Sequence, residues 1–185
     1  AYELLTQEAT QAKAGSEGLF FLPYLSGERT PHPDPYARGC FIGMSLRHQK
    51  KHLTRAVLEG VSYGLNDSLS LMKKLGVNPS EIVLSGGGSR SGLWKQILAD
   101  VFTTPCTMVN ALEGAAYGAA ILAAVGVGGF ATVEDACKAF IQKTETISPG
   151  PEQEIYNQYY PIYKSLYPSL QNQFTQIAET ISPNT

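Results

Sequence analysis

The most regular apolar pattern of the chain lies between positions 53 and 75. Leucine or valine recurs there every fourth residue, at Leu53, Val57, Val61, Leu65 and Leu69, and this spacing predicts a helix. A parallel face carries only Ala, Gly, Gly and Ser, at positions 56, 60, 64 and 68. Each glycine inside a helix costs roughly 1 kcal/mol relative to alanine. We therefore expect this helix to be central, with another backbone passing close to its small-residue face.

The remaining apolar pattern predicts alternating strands and helices. Helices are expected over 2–12, 91–102, 114–124, 132–140 and 152–181, with Thr132 as a cap and with breaks at Pro161 and Pro168. Strands are expected over 18–25, 39–45, 81–84 and 107–110. Prolines at 31, 33 and 35 predict a fixed, extended loop between the first two strands. This order is typical of an α/β layered domain with a partly parallel sheet.

Four tyrosines, at 156, 160, 163 and 167, follow helical spacing in the last predicted helix. An aromatic stripe can stack on nucleic-acid bases, but no basic residues alternate with this one. We expect it to form the seam that docks the last helix, with the hydroxyls at the edge of that seam.

Composition limits the classes of partner. A chain of 185 residues suits a single domain. Charged residues make up only 16% of it, against the usual quarter, so part of its surface is expected to meet another domain. The net charge of −2 argues against a nucleic-acid partner. The longest apolar run, 115–127, is too short to cross a bilayer, so no membrane partner is expected.

Cysteine and histidine spacing offers little metal chemistry. The cysteines at 40, 106 and 137 follow neither a zinc nor a disulfide pattern, which is typical of a cytoplasmic protein. His48 and His52 stand four residues apart, as zinc ligands on one helical face would, but the sequence suggests no third ligand. We predict no metal site and interpret the pair as exposed polar residues leading into a helix.

The stretch LSGGGSRSGLW, residues 84–94, joins a predicted strand to a predicted helix, an arrangement that favours anions at the helix start. The Walker pattern fails because Leu93 and Trp94 stand where lysine and serine or threonine belong. The dinucleotide pattern is matched only in part, because Ser91 replaces its last glycine and no acidic residue follows at the required distance. An NAD-dependent dehydrogenase is thus a distant alternative. A second alternative is that the loop is only a turn, in which the glycines permit tight packing of helix against strand.

Three segments of the chain resemble the FGGY family of carbohydrate kinases, and within it the xylulokinase group. The first is YLSGERTPH at 24–32 with ARG at 37–39, and the second is GCFIGM at 39–44 followed, after seven residues, by HLTRAVLE at 52–59. The third is SGGGSRS at 85–91 with EGAAYGAAIL at 113–122. The resemblance runs from about 2 to 170, and its second segment is the most specific.

The resemblance implies an actin-like, ribonuclease-H-like ATPase domain with a mixed sheet flanked by helices. Two lobes of such kinases close around ATP and a sugar, and residues 1–185 would be the C-terminal, nucleotide-side lobe. The loop would then bind the nucleotide through Gly86, Gly87, Gly88, Ser89, Arg90 and Ser91. The glycines would let the nucleotide lie against the backbone, and Ser91 would reach the ribose or the purine edge. Arg90 would either stack on the base or face solvent.

Residue chemistry narrows that implication. Phosphate groups favour lysine or a metal held by carboxylates, and neither adjoins the loop, so we expect adenosine contact there rather than γ-phosphate contact. The family's catalytic aspartate and most of its sugar contacts belong to the other lobe, and its phosphate hairpin is not found before Gly18. We therefore expect no catalytic residue in this chain and no activity from it alone.

The leading hypothesis is the ATP-side lobe of a cytoplasmic kinase for a small-molecule sugar, a ketopentose resembling xylulose. Its partners would be the missing N-terminal lobe, ATP, and Mg²⁺ held mainly through the ATP and that lobe, with a homodimer left open. The alternative is a non-catalytic actin-like domain for assembly or regulation. The roles of four charged residues stay open. Arg29 and Glu28 would lie either in the cleft or against the other lobe. Glu59 would act either as a signature residue or as an ion-pair partner, and Glu113 would interact either with a helix dipole or with a metal-bound water.

Overall fold

The computed structural model describes residues 2–111 and 113–181, and of Ser89 only the backbone. These residues form the helices α1 (Tyr2–Ala9), α2 (Lys50–Lys74), α3 (Gly92–Phe102), α4 (Gly114–Gly126), α5 (Val133–Phe140) and α6 (Gln153–Ile181). The strands are β1 (Phe20–Pro23), β2 (Gly39–Ile42), β3 (Ile82–Leu84), β4 (Cys106–Val109) and β5 (Lys143–Ile147). Each predicted helix and strand is present within a few residues of its expected bounds, and Thr132 caps α5 as expected.

The strands form two small sheets. In the first, β1 and β2 pair antiparallel, with Phe20 opposite Ile42. In the second, β3 and β4 run parallel, which confirms the partly parallel sheet, and β5 adds antiparallel to β4. The sequence analysis missed β5 because its residues, KTETI, are mostly polar and exposed. Pairing with β4 holds this strand in place, together with a 3.0 Å hydrogen bond between the hydroxyls of Thr107 and Thr146.

Helix α2 lies at the centre of the domain, and β1 passes directly over its small-residue face. A Cβ atom added to Gly60 would stand 2.1 Å from the carbonyl oxygen of Phe21. The close backbone approach expected from the glycines is thus confirmed. The leucine and valine face is less buried than its pattern predicts, and Leu65 is 48% exposed. The part of α2 that the core covers is mixed: it includes Leu58 and Tyr63 but also several polar residues.

A buried ion pair lies among those polar residues. Arg55 and Glu59, one helical turn apart, are each 3% exposed, and Nε of Arg55 lies 2.8 Å from Oε1 of Glu59. The guanidinium also donates to the carbonyl of Ala12, to the Tyr156 hydroxyl and to the Glu152 carboxylate. Burial raises the pKa of the Glu59 carboxyl, and the Arg55 guanidinium opposes that shift. Of the two roles left open for Glu59, the structure shows the ion pair.

The Glu59 carboxylate accepts further hydrogen bonds from the turn that follows α1 and from α6. The backbone N–H of Gly15 donates to it at 2.9 Å, the Ser16 hydroxyl at 2.7 Å and the Tyr156 hydroxyl at 3.0 Å. We call Arg55, Glu59 and Tyr156, with the backbone groups of Ala12 and Gly15 and the Ser16 hydroxyl, the buried network; Glu152 contacts it from a partly exposed position. The buried network joins α2 to the chain after α1 and to α6.

Helix α6 docks through its tyrosines, which confirms the predicted seam. The seam differs from expectation in one respect: the hydroxyls are not at its edge but engage polar groups of the core. Tyr160 donates to Asp67 at 2.6 Å, Tyr167 donates to Asp34 of the proline loop at 2.7 Å, and Tyr163 lies 3.4 Å from the Tyr24 hydroxyl. Each of these tyrosines is thus held by the packing of its ring and by the polar contact of its hydroxyl.

The breaks predicted at Pro161 and Pro168 were wrong, because α6 is continuous through both residues. A proline inside a helix removes one backbone hydrogen bond and costs roughly 3 kcal/mol. Buried Tyr156 and Tyr163 lie on the two sides of Pro161, and buried Tyr167 directly precedes Pro168. Their packing against the core keeps the helical path that the local sequence disfavours.

Two further sequence expectations concern the membrane and the cysteines. Within the ranges 2–111 and 113–181, none of the helices combines the length and apolarity that a bilayer crossing needs. Cys40, Cys106 and Cys137 are all free thiols.

Replacing Gly60 with alanine is expected to destabilise the domain by about 1–3 kcal/mol, because the new methyl group would overlap the Phe21 carbonyl and force the backbones apart. Gly118→Ala in α4 is the matched control, since a Cβ there meets nothing within 4 Å. It should be neutral, or stabilising by up to about 1 kcal/mol. Urea unfolding of both variants measures the difference; equal stability would contradict the close approach.

Replacing Arg55 with leucine is expected to lower the free energy of unfolding by about 3–5 kcal/mol, because Glu59 would be left buried without its counter-charge. Lys138→Leu removes the cation of another pair at the same spacing, with Glu134, whose side chains are 70% and 76% exposed. That control should change stability by less than about 1 kcal/mol. Similar losses in the two variants, measured by thermal unfolding, would show that burial does not distinguish the pairs.

Candidate functional site

The glycine loop makes a direct turn from β3 into α3. Gly86 has φ 89° and ψ −178°, a backbone conformation essentially restricted to glycine. Residues Gly87–Arg90 then form one 3₁₀ turn, and Ser91 caps α3 by accepting a hydrogen bond from the Trp94 backbone N–H at 3.3 Å. The helix therefore begins where the loop ends, as the sequence predicted.

Gly87 and Gly88 are glycines for different reasons. A Cβ added to Gly88 would lie 2.1 Å from Cζ3 of the Trp94 indole, so this position is glycine because the ring covers it. A Cβ added to Gly87 would meet nothing within 4 Å. The packing interpretation of the loop thus accounts for Gly88 but not for Gly87, whose side of the loop is open.

A cavity of about 550 Å³ lies against this loop, a size common among small-molecule sites. Its second wall is helix α1, about eighty residues earlier in the chain. The lining residues are Tyr2, Glu3, Thr6, Gly87, Gly88, Arg90, Ser91 and Trp94. They supply two aromatic rings, three hydroxyls, one carboxylate and one guanidinium, which is a lining suited to a polar, partly aromatic ligand.

Four of the six residues predicted to bind nucleotide line this cavity: Gly87, Gly88, Arg90 and Ser91. Gly86 shapes the turn, and the side chain of Ser89 lies outside the described part of the chain. Ser91 is 7% exposed and engaged as a helix cap. Arg90 is exposed at the cavity rim.

The sequence analysis missed the α1 wall, made by Tyr2, Glu3 and Thr6, and it also missed Trp94. No local signal identifies the α1 residues, because only the packing of α1 brings them to the loop. For Trp94 a signal existed: it is the single tryptophan of the chain and follows the three glycines within six residues. A large ring so close to adjacent glycines indicates that one of them lies beneath it.

The histidines proposed as a pair have separate structural roles. Nδ1 of His52 accepts the backbone N–H of Gln49 at 2.9 Å and so completes the cap of α2. Nδ1 of His48 accepts the backbone N–H of Ser45 at 2.8 Å. The expectation that both are exposed was wrong for His52, which is 4% exposed. Across the residues described, no group of three or more potential metal ligands is present.

The other open candidates do not line the cavity at the glycine loop, although Gly114, next to Glu113, lies beside Ser85 at the start of that loop. The Glu28 carboxylate accepts the backbone N–H groups of Arg29 and Thr30 and so stabilises its own loop. That loop lines a separate cavity of about 680 Å³, which includes Arg29 and Asp34. Glu113 is exposed at the N-cap position of α4, with no side-chain hydrogen bond to the helix.

Comparison with known proteins decides the family. The model of the C-terminal domain of the FGGY family of carbohydrate kinases matches residues 1–127. The chain belongs to this family. A xylulose kinase of Staphylococcus epidermidis is 43% identical over 90% of the chain, and a gluconokinase of Bacillus subtilis is 36% identical over 96% of it. The resemblance found in the sequence is confirmed.

The solved structures agree. The crystal structure of xylulose kinase from Rhodospirillum rubrum matches 94% of the chain with a TM-score of 0.80 and 36% identity. This FGGY chain accordingly has the actin-like, ribonuclease-H-like ATPase fold. It spans about a third of the length of these relatives: 34% of the Staphylococcus kinase, 35% of the Bacillus kinase and 35% of the Rhodospirillum structure.

Proposed function

We propose that this FGGY domain is the nucleotide-side lobe of an ATP-dependent sugar kinase that phosphorylates a ketopentose resembling xylulose. The observation that carries the proposal is the cavity at the glycine loop, open along Gly87 and walled by α1. The family match supports the reaction class, and the Staphylococcus and Rhodospirillum relatives support the sugar. Gluconokinases match at similar coverage, which fits a sugar chosen outside this domain.

The lining of the cavity favours the nucleoside end of ATP. Tyr2 and Trp94 offer aromatic faces for stacking on a base, and Thr6 and Ser91 offer hydroxyl groups. The Glu3 carboxylate can accept a hydrogen bond from the exocyclic amino group of adenine but would repel a phosphate. In this proposal Gly86, Gly87, Gly88, Ser89, Arg90 and Ser91 form the adenosine side of the site.

The rest of the polypeptide would supply the chemistry. A general base there would take the proton of the sugar hydroxyl while its oxygen attacks the γ-phosphorus and ADP leaves. Mg²⁺ bound through the ATP phosphates would neutralise charge that develops on them. This domain would hold and orient the nucleotide, and we expect it to be inactive in isolation.

Helix α4 offers the surface on which the rest of that kinase would dock. Its sequence, GAAYGAAILAAVG, carries no charge, and of its thirteen residues, all described, Ile121 is the one that is buried. Leu122 is 60% exposed, and Val83 on the neighbouring strand β3 is 53% exposed. These side chains border an apolar groove of about 320 Å³. Because the chain spans a third of its relatives, the preceding part of the kinase is the occupant we propose.

The nucleotide site is tested by titrating the chain with ADP and with NAD by calorimetry. We expect ADP to bind, and Gly87→Val to weaken it at least tenfold, because the isopropyl group would fill the open side of the loop. Gly118→Val, which also enters open space but lies in α4, should leave ADP affinity unchanged. NAD binding without ADP binding would overturn the kinase proposal, and an unchanged affinity of Gly87→Val would move the site elsewhere.

The docking surface is tested by Leu122→Glu. In the isolated chain this charge should raise solubility without lowering the melting temperature, because Leu122 is exposed there. In the full-length kinase the same charge would be buried at the contact and should lower the melting temperature by several degrees. Leu75→Glu, at an 83% exposed position, is the control and should be neutral in both proteins. Equal behaviour of Leu122→Glu in both would contradict the contact.

A further inference from the structure

We propose that Trp94 has a second role besides lining the cavity: its indole fixes the glycine loop to helix α2 and so positions the loop in its binding shape. We call Trp94, Ser62 and Gly88 the indole clamp. The attachment of the loop stands on the geometry alone. Only its consequence for the nucleotide rests on the proposed function.

The first half of the indole clamp is a hydrogen bond into the core. The indole Nε1–H of Trp94 donates to the Ser62 hydroxyl oxygen at 3.1 Å. Ser62 is fully buried on α2, and its own proton is donated to the Leu58 carbonyl at 2.8 Å. The hydroxyl hydrogen is therefore directed to Leu58, and a lone pair is available for the indole, which can only donate. Donors and acceptors match in a single arrangement, which favours one orientation of the ring.

The second half is contact with the loop itself. A Cβ atom added to Gly88 would lie 2.1 Å from Cζ3 and 2.7 Å from Cε3 of the Trp94 ring. The ring therefore packs directly against the backbone of the loop. The backbone N–H of Trp94 also donates to the Ser91 hydroxyl. One residue thus engages both Gly88 and Ser91.

Among the described residues, the backbone bonds that close the turn include the one from the Ser91 N–H to the Gly88 carbonyl at 3.2 Å. That bond closes the turn but does not attach it to α2, whereas the indole does. On the opposite side, Gly87 faces open space. Loosening the indole clamp would let the loop sample other shapes, and a ligand would then have to order it on binding, which lowers affinity.

Ser62→Ala tests this clamp, with Ser70→Ala as the matched control. Ser70 lies on the same helix, and its hydroxyl also bonds an aromatic side chain of another helix, Tyr160 at 3.1 Å, away from the loop. In Ser62→Ala we expect amide hydrogen exchange of residues 86–91 to accelerate at least fivefold and exchange in α6 to stay unchanged. The fluorescence of Trp94, the single tryptophan, should shift to the red as the ring becomes wetter. Ser70→Ala should leave both signals unchanged.

The second variant replaces Trp94 with 3-benzothienylalanine, which keeps the six-membered ring whose Cζ3 and Cε3 lie beside Gly88 but removes the indole N–H. It should accelerate hydrogen exchange of the same amides. Combining it with Ser62→Ala should add little, since both variants remove the same hydrogen bond. Loop exchange that stays at the wild-type rate, or acceleration spread equally over α6, would overturn the clamp. Additive effects would show that Trp94 and Ser62 act separately and would overturn it as well.

The consequence for binding has its own readout. In the full-length kinase Ser62→Ala should raise the KM for ATP three- to tenfold, while the KM for the sugar and kcat stay near wild type. A loop that loosens with no effect on ATP would leave the clamp in place and refute its role in nucleotide binding. Failure of the wild-type protein to use ATP at all would refute the proposed function and leave the exchange result intact.

Discussion

The buried ion pair of Arg55 and Glu59 is the interaction on which the arrangement of this domain depends. Two charges that are each 3% exposed have lost most of their water, so each needs a full set of hydrogen bonds to remain in the core. Those bonds come from the Ala12 carbonyl and the Gly15–Ser16 turn after α1, and from Tyr156 in α6. These bonds therefore tie the chain after α1, helix α2 and helix α6 to one another.

The same segment of α2 links the network to the rest of the domain. Gly60, the residue after Glu59, admits strand β1 at a distance that no side chain would permit. Ser62, two residues further, receives the indole that covers the glycine loop. The cavity also depends on the network, because the chain after α1 is held through Ala12 and Gly15, and α1 forms the second wall. The candidate site is thus coupled to a charge pair that does not touch it.

The surface of the domain is as informative as its core. A chain with 16% charged residues exposes an uncharged helix, α4, beside the strand β3. Such a face is costly in water, yet it lies apart from the cavity at the glycine loop. The domain therefore presents two different surfaces: a polar, aromatic cavity suited to a small molecule, and an apolar helix suited to further protein. This division is what the proposed role, as one lobe of a larger kinase, would require.

The comparison of expectation and structure shows which interactions are local. Local spacing could predict the strands and helices with apolar periodicity, the cap at Thr132 and the strand–loop–helix at Gly86–Ser91, because each depends on residues near one another in the chain. The small-residue face of α2 also predicted that a backbone passes close to Gly60, but it could not identify Phe21 as that neighbour. The polar strand β5 could not, since β4 stabilises it and its own side chains do not. The continuity of α6 through Pro161 and Pro168 could not either, because buried tyrosines outweigh the backbone preference.

The sequence by itself determined the family, the order of the predicted helices and strands, and the glycine loop. Each of these follows from the spacing of residues close in the chain or from segments typical of FGGY kinases. Only the tertiary structure decided that the Trp94 indole reaches Ser62 of α2, that α1 walls the cavity, and that the Arg55–Glu59 pair is buried against the chain after α1 and against α6. Each of these depends on which distant surfaces meet. Packing and desolvation of the whole chain decide that, and no pattern within a short segment encodes it.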